Sequence, residues 1–515
     1  MRAGSRILLL FYLTAVCAIP SHARQPDSLS VPRRGERVFA RTQYEYVYRD
    51  NPAMLSWWDY ATYSVIGAAL DYGNGGLHHP QTYDRMLKGG VETESILHMP
   101  EKGWSFHGRF FYENGVADSV RANLSYGLRS NGTPSFYFCR LPASRWNIQR
   151  YGLEASVSKR LGEQWSLGGQ FDYRGDLAFR KSDVRNEQTT LDIHAVLSVS
   201  RRFGEHHLVS AGVDYLRSKE RPSFSIVYST GENYMIYLMN GLGTYITNQT
   251  SEMVWVEHAP SLLLQWMQTS AKNRFSLTYR FVSGSNRWRY RGSQSAARQD
   301  KWTKYDYASH RIVFSETLRT GRSLLNVRGD ADFTVGKGNS WSRTGNVFIQ
   351  NYDYKGVTGT MTVEWRPLRS VLQQVAAGGN YSAENRRDKS YDYRFEHAAI
   401  TAFVQAQAGF EIGSVDLDVA LEGSYLHSLR VGHKPNAAVE TNNEYTRWVG
   451  IPLAEWLATD IACVGVSFGT EIPVRRNLLE IGAVCDYSIP VQKNLAASYD
   501  GSDFLRVKVF VNVYF

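Results

Sequence analysis

The end of the chain constrains the fold more than any other stretch. Leu505, Val507, Val509, Val511, Val513 and Phe515 take every second position, with Arg506, Lys508 and Asn512 between them. Strict alternation of this kind belongs to a β-strand with one apolar and one polar face. It runs to the final residue, and that residue is aromatic.

The same pattern recurs upstream. Tyr151, Leu153, Ala155 and Val157 lead through a short turn at Leu161-Gly162-Glu163 to Trp165, Leu167, Phe171 and Tyr173. Leu191, Ile193, Ala195, Leu197 and Val199 lead through Phe203-Gly204-Glu205 to Val209, Ala211, Val213 and Tyr215. The two hairpins share a local sequence, Ser156-Val157-Ser158-Lys159-Arg160 against Ser198-Val199-Ser200-Arg201-Arg202, which we read as one solution to turning used twice. Further hairpins fall at 262–281, 312–335, 357–381, 404–425 and 464–487. Trp104, Phe106, Gly108, Phe110 and Tyr112 form a good strand, and weaker strand signals lie at 63–70 and 91–98. Between hairpins the connections are long and polar: 175–190, 218–256, 283–305, 336–354, 385–397, 427–457 and 490–503. Short turns alternate with long loops, as expected of short periplasmic turns and longer extracellular ones in a membrane barrel.

The first residues supply the address. Arg2 and Arg6 precede an apolar stretch from Ile7 to Ile19, and Ser21-His22-Ala23 has the small residues of a signal-peptidase site. The apolar stretch is shorter than the ~18 residues a spanning helix needs. Mean hydropathy is −0.37, yet aromatic residues make up 13% of the chain. A chain with this balance that enters a membrane does so as strands. The expected architecture is all-β: a transmembrane antiparallel up-and-down barrel of about 18 strands, within a range of 14–20, with an even number favoured by closure. Residues 1–23 are read as signal peptide, 24–61 as a periplasmic N-terminal segment or small hatch, and 62–515 as the barrel of a bacterial outer membrane. The last strand descends from the 490–503 loop, so the C-terminus is placed in the periplasm.

Trp104, Trp165, Trp365, Tyr173, Tyr215 and Tyr425 on the apolar face suit interfacial girdles. The polar face supplies the candidate lumen lining: Asp172 and Arg174; Arg328, Asp330 and Asp332; Glu364 and Glu411; Asp418 and Glu422. A barrel this wide has a wet interior. Its charges of both signs form either a ladder for a solute or a cross-bracing network that fills the lumen. The net charge of +9 carries no nucleic-acid signature in an exported chain. Cys139, Cys463 and Cys485 remain after signal cleavage. Alternation places Cys463 and Cys485 on opposite faces, so no bridge is expected between them.

Gly465-Val466-Ser467-Phe468-Gly469 matches a nucleophile elbow, but that motif needs a strand-turn-helix context and here lies inside an alternating strand. Neighbouring residues in His78-His79 and His206-His207 point to opposite faces if extended, a poor start for chelation. No cofactor, metal or nucleotide motif is read, and no catalytic residue is assigned. The stretch 283–305 stands out. Arg287, Arg289, Arg291, Arg298, Lys301 and Lys304 interleave with Trp288, Tyr290, Trp302 and Tyr305, a chemistry suited to an anionic sugar or a lipopolysaccharide phosphate. The plainer reading is a strand extension with solvated charges.

The mature chain resembles outer-membrane barrel proteins of unknown function from Bacteroidetes-type bacteria, in its architecture and terminal strand. The strand ending in Phe515 resembles those recognised by the barrel-assembly machinery. Asn51-Pro52-Ala53 is similar to an N-terminal tripeptide of the long-chain fatty-acid transporter family, whose N-terminal segment plugs the lumen. That resemblance implies a hatch containing Ser56-Trp57-Trp58-Asp59. The segment from Ala23 to Tyr63 is too short for the folded plug of an energy-coupled receptor. Expected surroundings are outer-membrane lipids and lipopolysaccharide. The expected function is a channel or transporter for small solutes. The alternatives are a surface protein whose loops bind a glycan, lipid or protein, and a membrane-embedded hydrolase.

Overall fold

The computed structural model describes residues 34–125, 132–134, 137–139, 143–227, 235–243, 245–248, 252–291, 303–342, 347–367, 370–436, 443–493 and 501–515. Residues 1–23, read from the sequence as a signal peptide, lie outside the described residues. In chain order the strands are β1 (Tyr63–Gly75), β2 (Arg85–Met99), β3 (Trp104–Val120), β4 (Tyr137–Cys139), β5 (Ser144–Leu161), β6 (Trp165–Arg180) and β7 (Arg185–Phe203). There follow β8 (His207–Ser225), β9 (Ile236–Met239), β10 (Tyr245–Asn248), β11 (Glu252–Thr269), β12 (Asn273–Arg291), β13 (Thr303–Thr320) and β14 (Ser323–Ser342). The last are β15 (Val347–Pro367), β16 (Leu372–Asp388), β17 (Tyr393–Ile412), β18 (Val415–Lys434), β19 (Thr459–Val474), β20 (Asn477–Lys493) and β21 (Phe504–Tyr514).

Except for β4, β9 and β10, which form a small sheet of their own, these strands make one 18-stranded antiparallel sheet. Each pairs with its chain neighbour except that β3 joins β5 past β4 and β8 joins β11 across the excursion that holds β9 and β10, and β1 pairs with β21 from Val65↔Tyr514 to Gly75↔Phe504. The sheet is therefore a closed barrel without free edges, the solution that satisfies every strand where no water is available.

Its surface is inverted relative to a water-soluble core. Leu197 is 67% and Leu262 58% exposed on the outer face, while lumen-facing Gln265 and Glu364 are 2% and 1% exposed. Apolar side chains stay outside only if the solvent there is lipid. Trp104, Trp165 and Trp365 stand exposed near the short-turn end, with Tyr215 and Tyr425 further towards the loop end, as girdles require. The short turns close on glycines in the left-handed region, with φ 69° at Gly162 and 63° at Gly204.

Strands are far longer than a bilayer needs. β15 has 21 residues, whereas crossing takes about 9–11. The polar stretches at the loop end are therefore largely strand: β6 continues to Arg180, β14 to Ser342 and β16 to Asp388. Beyond the membrane both faces meet water or protein, so the apolar alternation stops while the backbone ladder continues. The register also sets Cys463 opposite Ser488 and Cys485 opposite Val466, so the two cysteines are not cross-strand partners.

Two α-helices complete the described residues, besides a 3-10 turn at Pro100–Lys102 between β2 and β3. Helix α1 (Arg34–Gln43) continues through a wider helical turn at Tyr44–Tyr48 and a 3-10 turn at Pro52–Trp57. Helix α2 (Ile451–Leu457) follows a similar wide turn at Thr446–Gly450 in the β18–β19 connection.

Candidate functional site

The N-terminal segment lies inside the barrel near its short-turn end and touches the wall on many sides. Arg34, Arg37 and Arg41 recur on one face of α1. Arg34 pairs with Asp418 at 2.6 Å and Glu480 at 3.3 Å, Arg37 with Glu471, and Arg41 with Glu92 and Glu94 at 3.4 Å. Across the helix, Arg366 donates to the Gly35 carbonyl at 3.0 Å and stacks over Phe39. The far end of the segment reverses the charge: Asp50 faces Arg280 at 3.7 Å and Arg311 at 3.8 Å, and Asp59 pairs with Arg274. A basic helix thus meets an acidic wall, and acidic residues beyond it meet a basic one.

The turn at Pro52–Trp57 seats in a slot of serines. Ala53 N–H donates to Ser198 Oγ at 2.9 Å, and its carbonyl accepts from Ser166 Oγ at 2.7 Å and Ser158 Oγ at 3.2 Å. Ser56 Oγ meets Ser158 Oγ at 2.5 Å, and Trp57 Nε1 donates to Ser200 Oγ at 2.9 Å. Asn51 Nδ2 donates to Gln265 Oε1 at 2.7 Å, and Gln265 Nε2 donates to the Val47 carbonyl at 2.7 Å. The backbone comes so close that a Cβ on Gly168 would run into Ala53 N and the Pro52 carbonyl carbon. Arg160 and Arg202 each lie 4.4 Å from the centre of the Trp57 ring, one cation–π contact apiece. The repeated Ser-Val-Ser-basic-Arg sequence is therefore more than a turn device: its two copies supply Ser158, Arg160, Ser198, Ser200 and Arg202 to this slot.

The sequence-derived lumen residues fall into separate groups. Asp418 holds Arg34. Glu364 pairs with Arg328 at 2.6 Å and with Arg366, and Arg328 lies over the Tyr46 ring at 5.3 Å, so these too contact the segment. Asp172 meets His194 at 2.8 Å. Asp330 accepts from Thr360, and Asp332 from Ser309 and Thr334 at 2.7 Å each. Glu411 stands opposite Asp416 at the β17–β18 turn, and Glu422 opposite Gln405. Arg174 pairs with Asp176 at 2.7 Å and lines a cavity of about 550 Å³. That cavity lies above α1, against β21, β1, β2, β3, β5 and β6. Cross-bracing dominates the wall, and the cavity is where space remains.

The loop end is also folded inward. The small sheet of β4, β9 and β10 and helix α2 pack with Tyr305, Tyr352, Tyr393, Phe395 and Tyr445 into an apolar cap. Burial pushes the Cys139 thiol up to about 12, which makes it an inert core group. His79, in the β1–β2 connection, lies edge-on to Trp456 of α2 at 5.2 Å. Burial, with Arg386 and His78 adding like charge, pushes its imidazole down to about 4.

The basic-aromatic stretch is divided by its own alternation. Arg287 is exposed on the outer face of β12, whereas Trp288 is 1% exposed, edge-on to Tyr137 at 4.8 Å in a buried cluster. Tyr305 is likewise buried, and Lys304 pairs with Asp306 at 2.6 Å. Trp288 and Tyr305 are cap core, which corrects the reading of this stretch as one exposed surface. Arg289, Tyr290 and Arg291 extend β12, and Arg298, Lys301 and Trp302 lie outside the described residues.

Among the described residues, His78 lies between Thr82 Oγ1, 3.1 Å from its Nδ1, and Asp84, 2.8 Å from its Nε2, with the His79 carbonyl also 2.8 Å from Nδ1. Both His194 nitrogens face carboxylates, Asp172 and Asp214. His98 Nδ1 meets Ser105 Oγ at 2.7 Å, but Ser105 is fully buried and no carboxylate hydrogen-bonds His98 among the described residues. The 465–469 motif lies within β19. No cluster of metal-ligating side chains appears among the described residues.

Residues 52–515 match the model described as Family of unknown function (DUF6850). No curated protein matches the sequence. Solved structures with similar folds include the ferric citrate transporter FecA, at 11% identity and a TM-score of 0.44 over 87% of this chain and 78% of that one. The Fiu ferric-catecholate import receptor of E. coli K12 gives 8% and 0.40 over 88% and 81%. The copper transporter OprC gives 8% and 0.40 over 88% and 80%.

Proposed function

The chain belongs to this family of unknown function, whose name carries no activity, and we propose from the lumen geometry that it is a gated outer-membrane transporter for small polar solutes. The gate is the segment 34–58. One observation carries the reading: the segment lies across the short-turn end and is joined to the wall by ion pairs and a serine slot, while most of its buried apolar cluster, Tyr44, Val47, Tyr48, Met54, Leu55, Trp57 and Trp58, belongs to the segment itself and meets the barrel only at Tyr63, Ile96, Leu208 and Met267. Polar contacts of this kind exchange readily for water, so such a segment can leave without unravelling the barrel. In this reading residues 24–61 form a periplasmic hatch after cleavage near Ala23. The barrel begins near residue 62, sits among outer-membrane lipids and lipopolysaccharide, and is assembled through its Phe515-ended strand.

The test is conductance in a planar bilayer. The intact protein gives no steady open-channel steps in plain buffer. Moderate urea loosens a short segment of few residues before a closed barrel, so it opens the channel reversibly. The oxidised Ser56→Cys/Ser158→Cys variant stays shut in the same urea until a reductant is added. Equal opening of the oxidised and reduced forms would overturn the gate.

A second reading is a non-transporting surface protein whose loops bind a glycan, lipid or protein. The folded aromatic cap favours it. It expects the protein to remain shut in urea whether or not the cross-link is present.

A further inference from the structure

The cavity above α1 has a wall whose charges are layered. Asp71 on β1 lies directly opposite Lys88 on β2 and Lys508 on β21. It accepts two bonds from Arg506, at 3.0 and 2.8 Å, with Lys88 at 3.7 Å. Along the same wall Glu113 faces Lys88 at 3.3 Å and Arg150 at 3.7 Å. Asp176 then takes Arg150 at 3.3 Å and Arg174 at 2.7 Å. Each carboxylate is flanked by more than one cation, so cations outnumber carboxylates along the row.

Depth decides which charge the cavity meets. The side chains of Asp71 and Asp176 are 5% and 6% exposed, whereas those of Arg506 and Arg174 are 47% and 44% exposed. Asp71 and Asp176 are thus recessed behind Arg506 and Arg174, whose heads face the open space, while Glu113, 34% exposed, stands level with Lys88 at 31% and Arg150 at 29%. Lys508 lines the same cavity and makes no ion pair within 4 Å among the described residues. The floor adds Arg41 of α1. Fixed, partly desolvated guanidinium and ammonium groups arranged in this way match a ligand with several anionic oxygens.

We propose that this chamber is a binding site for a small polyanion, a phosphorylated or polycarboxylate solute, held between the Lys88–Arg506–Lys508 and Arg150–Arg174 parts of the wall. The assignment rests on the reading of the lumen as a solute path and names its substrate class. A volume of about 550 Å³ suits a small solute. Uptake from the loop end, once the cap of β4, β9, β10 and α2 admits the solute, would bring the anion onto the cations above the gate before the segment moves.

Calorimetry on the intact detergent-solubilised protein at low salt tests this, with pyrophosphate and propane-1,2,3-tricarboxylate as probes and sucrose as the neutral comparator. The expected result is saturable binding of at least one anion, weakened by salt, and none of sucrose. Lys508→Gln and Arg174→Gln weaken it about tenfold each, the loss of one charge-assisted contact. Lys337→Gln, exposed on the outside of β14, leaves it unchanged. Heat-modifiable migration on a gel certifies that each variant retains its barrel. Stronger binding of pyrophosphate assigns phosphate chemistry, and stronger binding of the tricarboxylate assigns carboxylate chemistry. No binding of either anion, or binding equal in the intact protein and both lumen variants, overturns the site. The urea-opening test is separate: a chain that binds anions but never opens keeps the site and loses the gate, and the reverse result keeps the gate alone.

Discussion

Trp57 concentrates the interactions that seat the N-terminal segment. Its ring lies between Arg160 and Arg202, and its Nε1 donates to Ser200. Replacing it by alanine removes both cation–π contacts, at about 0.5–2 kcal/mol each, and leaves a buried void. The Trp57→Ala segment should therefore become accessible to added protease while the barrel stays folded, read as cleavage within 34–60 with an intact barrel band. Gly168→Ala should do the same by steric exclusion, because its Cβ needs the space held by Ala53. Resistance of both variants to cleavage would remove the slot from the account. The sequence displayed this slot without disclosing its use. The repeat around Ser158 and Ser200 is plain to read, but a turn and a docking surface call for the same small polar residues. The two copies face one tryptophan only after β5 to β8 pair in register.

At the scale of elements, legibility followed contrast. The last strand was readable because lipid and water face its two sides, and the hairpins from residue 151 onward follow the same logic. Helix α1 offers less contrast: its arginines face acidic walls, and its apolar stripe, Ala40, Tyr44, Val47 and Tyr48, runs mostly through the wider turn that follows it. The strands of the small sheet are too short for alternation to register; β4 has three residues. The contact between the β1–β2 connection and α2 gives a prediction at this scale. His79 is held neutral, with a folded value of about 4 against an ordinary 6.5. Its contribution is fully present above pH ~6.5, declines as the unfolded ring takes up a proton, and is lost below about 4, when the folded ring is charged as well. Hydrogen exchange at residues 76–84, corrected for the intrinsic slowing of amide exchange with falling pH, should therefore rise between pH 6.5 and 4. In His79→Gln that rise should be absent; a rise of the same size in the variant would assign the transition to another group.

The whole molecule is ordered by two solvents and a filled interior. Lipid selects the outer face, and the lumen holds the N-terminal segment, a charged chamber and a cross-braced wall. The faces should therefore respond oppositely to the same chemistry. Leu262 is 58% exposed on the outer face of β11 and flanked by Leu264. An arginine there must lie in hydrocarbon, at a cost of about 2–4 kcal/mol near the midplane. At Thr360, which faces the lumen beside Asp330, an arginine gains a carboxylate partner and a wet space. Folding into vesicles, followed by the heat-modifiable gel shift over a urea series, compares the two. Leu262→Arg should shift the midpoint to lower urea by the equivalent of that cost, and Thr360→Arg should change it by less than about 1 kcal/mol. Equal penalties would mean that the two faces share one solvent, which no transmembrane barrel allows. An unchanged midpoint in Leu262→Arg would place the apolar band against something other than lipid.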